Sequence, residues 1–338
     1  MATYKCSGLL LVVTFSFSLQ AGFFSVASVA YHLIDDQRKE LYTNDPVHPW
    51  RELMVRVWYP VNTMRYPLLI FSHGLGGKFN GDTYTTLCEA CVKAGYIVVT
   101  ISHSYACKPI HFSDGRVTTH SFSSVAQAYL SGREMELWEA DGEYVLDQCH
   151  KYNGDENSFL YNRIDVNNIG MFGHSYGGSL AVQMCRKDDR VKAAINLDGP
   201  LRGKNSTVPF GKPLLFIVGG LLPYNFISMP REVYNDIGWS YCMYSKELSV
   251  INAFGCQMNS DVYKVVIDGI RHTTFSDEIF SQHTLLDESL IDPVLAQAII
   301  NSYIIDFFDV YLKGKKSYLL DQAVSPWTQV VVEKITPL

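Results

Sequence analysis

The feature that most constrains this chain sits at its middle. An apolar run, Asn168 to Gly173, leads directly into Gly173-His174-Ser175-Tyr176-Gly177-Gly178, and Ser179 to Cys185 then continues with a helical pattern. A strand that turns into a helix through a single serine must place that residue on a sharp, strained bend with its hydroxyl exposed. Small neighbours such as Gly173 and Gly177 let strand and helix approach closely. At ordinary glycine and serine frequencies a bare G-x-S-x-G arises by chance in roughly one chain in ten of this length. The strand before it and the helix after it are what make Ser175 a candidate nucleophile.

The surrounding pattern fits. Short β-rich runs (Met54 to Tyr59, Leu68 to Ser72, Tyr96 to Ser102, Asn168 to Gly173, Ala193 to Leu197, Leu214 to Gly219 and Tyr263 to Asp268) alternate with helix-patterned ones (Thr83 to Ala94, Arg133 to Tyr152, Tyr176 to Arg186 and Asp292 to Leu312). That alternation predicts an α/β fold: a mainly parallel central sheet with helices on both faces. With 47% apolar and 18% charged residues among 338, disorder is excluded. The net charge of −6, with no basic run, speaks against a nucleic-acid partner. No Pro, Gly and Ser-rich linker divides the chain, so residues 28–338 are expected to form a single domain.

Before that domain, no charge lies between Lys5 and Asp35, and Leu9 to Phe17 is nearly all apolar. A short basic end, an apolar centre and small residues at Ser25, Ala27, Ser28 and Ala30 predict a signal peptide over residues 1–27. The protein would then be secreted or periplasmic, the alternative being an anchor formed by the same segment. Phe23 to Ile34 also reads as a first strand, a competing use of these residues. Eight cysteines are too few for a disulfide scaffold. Cys88 and Cys91 share one helix face with no second pair at zinc spacing, so no metal site is expected. Two excursions, Ser104 to Gly132 and the aromatic-rich Gly220 to Ser260, are long enough for binding loops or added core helices. Asn205-Ser206-Thr207 is a glycosylation sequon, relevant only in a eukaryotic secretory pathway.

A nucleophilic serine needs a histidine base and a carboxylate to orient it. After a strand-elbow-helix nucleophile the chain order is acid, then histidine, which leaves His272 and His283 of the ten histidines. His272 follows the last parallel-type strand across a short turn and is preferred. For the acid, Gly220 to Asn225 after the strand Leu214 to Gly219 holds no carboxylate. One strand earlier, Leu197 runs directly into Asp198-Gly199-Pro200, which makes Asp198 the choice over Asp268, Asp188 and Asp189. Acyl transfer also requires amides aimed at the oxyanion. Tyr176 N–H supplies one, and the turn His73-Gly74-Leu75-Gly76-Gly77 supplies the second, assigned to Leu75. A phosphate-cradling reading of that turn fails because Gly77-Lys78 is followed by Phe79.

Taken together, VRVWYP, YPLLIFSHGLGG, AGYIVVTISH, IGMFGHSYGG, AAINLDGP and DGIRHTTFSD, in that order from about Val55 to Leu312, resemble the α/β-hydrolases related to secreted platelet-activating-factor acetylhydrolase and their bacterial relatives. The family places its acid 23 residues beyond the serine, the interval from Ser175 to Asp198. The resemblance implies Ser175, Asp198 and His272 as catalytic residues and Leu75 and Tyr176 as oxyanion donors, with no cofactor. It implies a serine esterase that removes a short sn-2 acyl group from a phospholipid, with peripheral lipid-surface contact. Esterases of small soluble substrates share this shape, and a binding protein that kept the fold without turnover is the reading from another class.

Overall fold

The computed structural model describes residues 25–43, 45–76, 79–119, 127, 129–220, 248–280 and 291–337. They fall into two compact units, divided between Val166 and Asn167.

In the first unit, β1 (Val26–Lys39), β2 (Trp50–Pro60), β3 (Tyr66–Ser72) and β4 (Ile97–Ser102) lie side by side in the order β1-β2-β4-β3. β1 and β2 are antiparallel, as are β2 and β4, while β3 and β4 run parallel. The two parallel strands are the most apolar: Leu68, Leu69, Ile70 and Phe71 are fully buried, and every residue of β4 is buried. Strands covered on both faces read as continuous hydrophobic runs. Between them runs α1 (Thr85–Lys93), followed by Gly95 at φ +87°, the left-handed exit expected of a glycine after a helix. Cys88 and Cys91 are buried on that helix and take part in no disulfide. A small hairpin, β5 (Ile110–His111) and β6 (Val117–Thr118), precedes the long α2 (Arg133–Gly154). Because β1 begins at Val26, cleavage after Ala27 would remove its first two residues.

The second unit is built on β7 (Ile164–His174), whose first three residues belong to the first unit, β8 (Val191–Leu197), β9 (Leu214–Gly220), β10 (Val262–Asp268) and β11 (Val330–Ile335). β7, β8, β9 and β10 are parallel neighbours in chain order, and β11 closes the edge antiparallel to β10. Parallel strands need crossover connections. α3 (Tyr176–Lys187) links β7 to β8, and α4 (Pro293–Lys313) lies between β10 and β11 in the chain. Asp292 caps α4 by accepting from Val294 and Leu295 N–H, with Pro293 in the first turn. α4 is apolar and long enough to cross a membrane, but Ile299, Ile300, Tyr303, Ile304, Phe307 and Phe308 are fully buried, the pattern of a core helix. Most of the aromatic excursion and His283 lie outside the described residues. Phe254, at its described end, is core.

Candidate active site

The parallel sheet of the second unit puts the carboxyl ends of β7, β8, β9 and β10 on one edge, where open α/β sheets place their sites. Ser175 leaves β7 at φ 56°, ψ −120° and α3 begins at the next residue, so the expected strained elbow is present. Its own N–H donates to Leu197 O (2.8 Å), and its carbonyl accepts from Gly178 and Ser179 N–H. The close approach falls on Gly178, where a Cβ would meet Asn196 Oδ1 at 2.5 Å and Gly173 O at 3.0 Å. It falls again on Gly199, where a Cβ would overlap the Ser175 carbonyl. These two glycines let the turn after β8 press against the elbow.

Asp198 takes up that turn at φ 53°, a left-handed conformation that Asp tolerates better than most residues. Its N–H donates to Ile217 O (2.8 Å), and its Oδ1 accepts from Gly219 N–H (3.0 Å), so β9 fixes the carboxylate from below. Its Oδ2 accepts from His272 Nδ1 at 2.6 Å. A carboxylate can only accept, so the proton sits on Nδ1 and leaves Nε2 as the acceptor, the tautomer a general base requires. His272 reaches this place through a tight turn: Gly269 has φ +78°, and Ile270 O lies 3.1 Å from where a Cβ on Gly219 would stand. The short 3₁₀ segment His272–Phe275 is pinned by Gln297 of α4, whose Nε2 donates to Thr274 O (2.6 Å). The His272 ring lies 4.5 Å, centroid to centroid, from that of His174, the residue before Ser175. The His272 side chain is about half exposed (47%), whereas Asp198 is sheltered (16%). Among the described residues no hydrogen bond links Ser175 Oγ to this ring. Such bonds commonly tighten only with substrate in place.

Other sequence candidates fall elsewhere. Asp188 is ion-paired with Arg190 (2.6 Å), whose guanidinium holds its carboxyl below the usual range against the effect of burial. Asp189 is exposed in the same turn, and Asp268 ends β10 one residue before the Gly269 turn. Tyr176 is the first residue of α3. Leu75 belongs to the first unit, just after β3. Among the described residues one group could hold a metal ion, His32, Glu52 and Asp114, but the Arg116 guanidinium already bridges both carboxylates, at 2.5 and 2.6 Å.

The first unit holds a second serine, histidine and aspartate set that chain-order reasoning passed over. Ser72 O–H donates to His103 Nε2 (3.0 Å), and His103 Nδ1–H donates to Asp141 Oδ2 (2.9 Å). All three are fully buried. Arg51 grips the carboxylate with two nitrogens, at 3.1 and 2.7 Å, and Arg38 adds a third contact at 3.0 Å. Burial alone would push the Asp141 carboxyl up, but Arg51 and His103 hold it well below the ordinary range. No substrate reaches Ser72, and its aspartate is committed to arginine. The sequence signal that could have found this set is an Asp in the middle of the buried face of α2.

Comparison with known proteins shows what the chain resembles. The sequence model of the family described as platelet-activating factor acetylhydrolase, isoform II, matches residues 55–118 and 142–325. A probable 1-alkyl-2-acetylglycerophosphocholine esterase from Arthroderma benhamiae is 26% identical over 280 residues, covering 78% of this chain and 65% of that protein. A platelet-activating factor acetylhydrolase from Gallus gallus is 24% identical over 209 residues (51% of this chain, 49% of that protein). One from Cavia porcellus is 23% identical over 279 residues (75% and 59%). The chain thus spans about half to two-thirds of the length of these relatives. A solved ferulic acid esterase from Streptomyces cinnamoneus superposes with a TM-score of 0.69 at 23% identity, covering 94% of this chain and 98% of that one, which shows the α/β-hydrolase fold. Since the family match runs through most of the chain, from within β2 to beyond α4, and takes in the Ser175 elbow, Asp198 and His272, the chain belongs to the platelet-activating factor acetylhydrolase, isoform II, family.

Proposed function

We propose that this chain is a serine esterase that hydrolyses the short sn-2 acyl ester of platelet-activating-factor-like phospholipids at a lipid surface, without calcium. The observation that carries the proposal is the 2.6 Å bond from His272 Nδ1 to Asp198 Oδ2, beside a serine in the left-handed elbow. Ser175 Oγ attacks the ester carbonyl carbon while its proton passes to His272 Nε2. Asp198 then faces the imidazolium through Nδ1–H, and the tetrahedral oxyanion takes a hydrogen bond from Tyr176 N–H. His272 returns the proton to the departing glycerol oxygen as the C–O bond breaks. Water, deprotonated by the same ring, cleaves the acyl-enzyme and regenerates Ser175.

Support for a phospholipid substrate comes from the family and from the names of the relatives. The uncharged, apolar stretch from Leu9 to Phe17, read as part of a signal peptide over residues 1–27, is what supports export or anchoring and so contact with extracytoplasmic lipid. The test is esterase profiling across acyl lengths, in micelles or vesicles and on short soluble esters, with wild type and Ser175→Ala side by side. Highest turnover on short-acyl phospholipid is expected, and none in the variant. Good turnover of soluble esters together with a fall on aggregated lipid would replace the phospholipid reading with a general carboxylesterase. Absence of a fluorophosphonate adduct on Ser175 in folded protein would favour a binding role. N-terminal sequencing of exported material tests the leader.

A further inference from the structure

Asn196 stands out in β8. Ala193, Ala194, Ile195 and Leu197 are buried and apolar, as a parallel strand covered on both faces requires, yet Asn196 is equally buried and polar. The strand register sets it beside Gly173 of β7, two residues ahead of Asp198. Gly199 N–H donates to Asn196 Oδ1 (2.7 Å), and a backbone N–H can only donate, so the side-chain oxygen is the atom that faces the turn. The other end of the amide, Nδ2, is buried without an acceptor among the described residues. An orphaned buried donor costs stability, so an apolar residue would fill this space better unless the oxygen has a task.

That oxygen lies between the elbow and the acid's turn. A Cβ on Gly178 of α3 would stand 2.5 Å from it, and one on Gly199 would stand 2.7 Å from it. Asp198 N–H donates to Ile217 O (2.8 Å), which fixes the peptide before its Cα, and the bond from Gly199 N–H to Asn196 fixes the peptide after it. Peptides are planar units, so anchoring both sets φ and ψ, and with them the direction of the Cα–Cβ bond. The value required is the left-handed φ of 53°, which an unrestrained Asp visits only rarely. Held there, the carboxylate meets Gly219 N–H with Oδ1 and His272 Nδ1 with Oδ2. The chain beyond the turn is secured separately along α3: Ser179 O–H donates to Pro200 O, Gln183 Nε2 to Arg202 O (2.5 Å), and Arg186 to Lys204 O (3.2 Å) and Ser206 O (3.0 Å). Losing the Asn196 oxygen therefore loosens the turn and leaves the segment after it in place.

We propose that Asn196 is a positioning residue for ester hydrolysis: by accepting from Gly199 N–H, it fixes the left-handed turn that aims the Asp198 carboxylate at His272. It acts through Asp198 and touches no reacting atom. The inference rests on the esterase reading, with Asp198 as the acid.

The test compares Asn196→Leu, Asn196→Ala and Asn196→Asp, with kcat and KM for a short-acyl soluble ester measured on folded protein isolated by gel filtration. Leu matches the volume of Asn without an acceptor, Ala removes the side chain, and Asp keeps the acceptor. Loss of the acid lowers kcat about 10³- to 10⁴-fold, so misaiming it is expected to lower kcat about 10- to 100-fold in the Leu and Ala variants, with KM changed less than about threefold. Asn196→Asp should stay within about fivefold of wild type. The Leu and Ala changes are then repeated on Asp198→Asn, where each should cost less than about threefold, because the carboxylate they would misaim is already gone. A purely structural role would lower the urea midpoint and cost the same factor in both backgrounds, which overturns the proposal. So would a kcat within about twofold of wild type in the Leu and Ala variants, or an Asp variant no better than either. Asn196→Ala decides alone if the Leu variant does not fold. If wild type hydrolyses no ester and takes up no fluorophosphonate, the esterase reading fails first, and that outcome is distinct from failure of the Asn196 variants alone.

Discussion

Glu134 gives the sharpest test of the buried polar layer in the first unit. It lies in the first turn of α2, one turn before Trp138 and two before Asp141, and is fully buried beside the Tyr42 hydroxyl. A helix N-terminus ordinarily favours a carboxylate. Here burial outweighs that preference and the pull of Tyr42 and Arg51, raising the carboxyl from its ordinary 4.5 to about 7. The folded protein therefore holds a proton that the unfolded chain releases. The stabilisation is complete below about pH 4.5 and is lost as pH rises through about 7. At about 1.4 kcal/mol per pH unit the whole interval amounts to roughly 3 kcal/mol, of which about 2.5 kcal/mol falls between pH 5 and pH 8. Glu134→Gln keeps the shape and removes the titration. Urea unfolding followed by the fluorescence of the five tryptophans should show wild type losing stability over that range relative to the variant. The difference should widen with pH by about 2 kcal/mol or more. Curves that run parallel within about 0.5 kcal/mol from pH 5 to pH 8 would refute the claim that burial dominates this site.

Ser175→Ala and His272→Ala should each lower turnover by roughly 10⁴- to 10⁶-fold in steady-state assays while the urea midpoint hardly moves, since members of a catalytic unit fail together. Asp198→Asn leaves an acceptor for Gly219 N–H but unsettles the His272 tautomer, so kcat should fall about 10³- to 10⁴-fold. Near-normal turnover in that variant would move the acid to Asp268. Gly199→Ala drives a methyl group into the Ser175 carbonyl, and fluorophosphonate labelling should be largely lost with destabilisation of only about 1–3 kcal/mol. Undiminished labelling would show that the elbow tolerates displacement.

The parallel core was legible because buried strands are written as unbroken apolar runs. The stretches read for β3, β4, β7, β8, β9 and β10 all became strands. The antiparallel strands were legible only in part: Phe23 to Ile34 and Met54 to Tyr59 read as strands, but the end of β1 and all of β11 did not. β11 mixes Val330 and Ile335, buried, with exposed Val331, Glu333 and Lys334. The end of β1 runs on past Asp35 through an irregularity in the ladder, after which Lys39 pairs with Trp50, so its polar side chains carry no strand pattern. The elbow at Ser175 was legible because strand, bend and helix are consecutive. Asp198 and His272 needed chain order as well as position at a strand end. The support of Asp198 by Gly219 N–H and the close approach of Gly199 had no signal, since a glycine reveals its neighbours only once the sheet has formed.

The two serine, histidine and aspartate sets show why distance does not define a catalytic centre. By separation the buried set is the better one, with Ser72 to His103 at 3.0 Å and His103 to Asp141 at 2.9 Å. Yet Ser72 is the last residue of β3, fully buried and paired with β4, so neither a carbonyl carbon nor the attacking angle is available to it. Its aspartate is neutralised by Arg51 and Arg38, which removes the field that would stabilise an imidazolium on His103. His103 protonation is also opposed by burial and by the same two cations. Ser175 differs in each respect: a left-handed bend lifts it off the strand, and its base is half exposed. Its aspartate binds one backbone amide and the imidazole, with no cation recorded on it among the described residues. Exposure, backbone strain and an uncommitted carboxylate are what separate the proposed nucleophile Ser175 from the buried Ser72. The buried set differs most in Asp141, whose two carboxylate oxygens are taken up by Arg51 and Arg38.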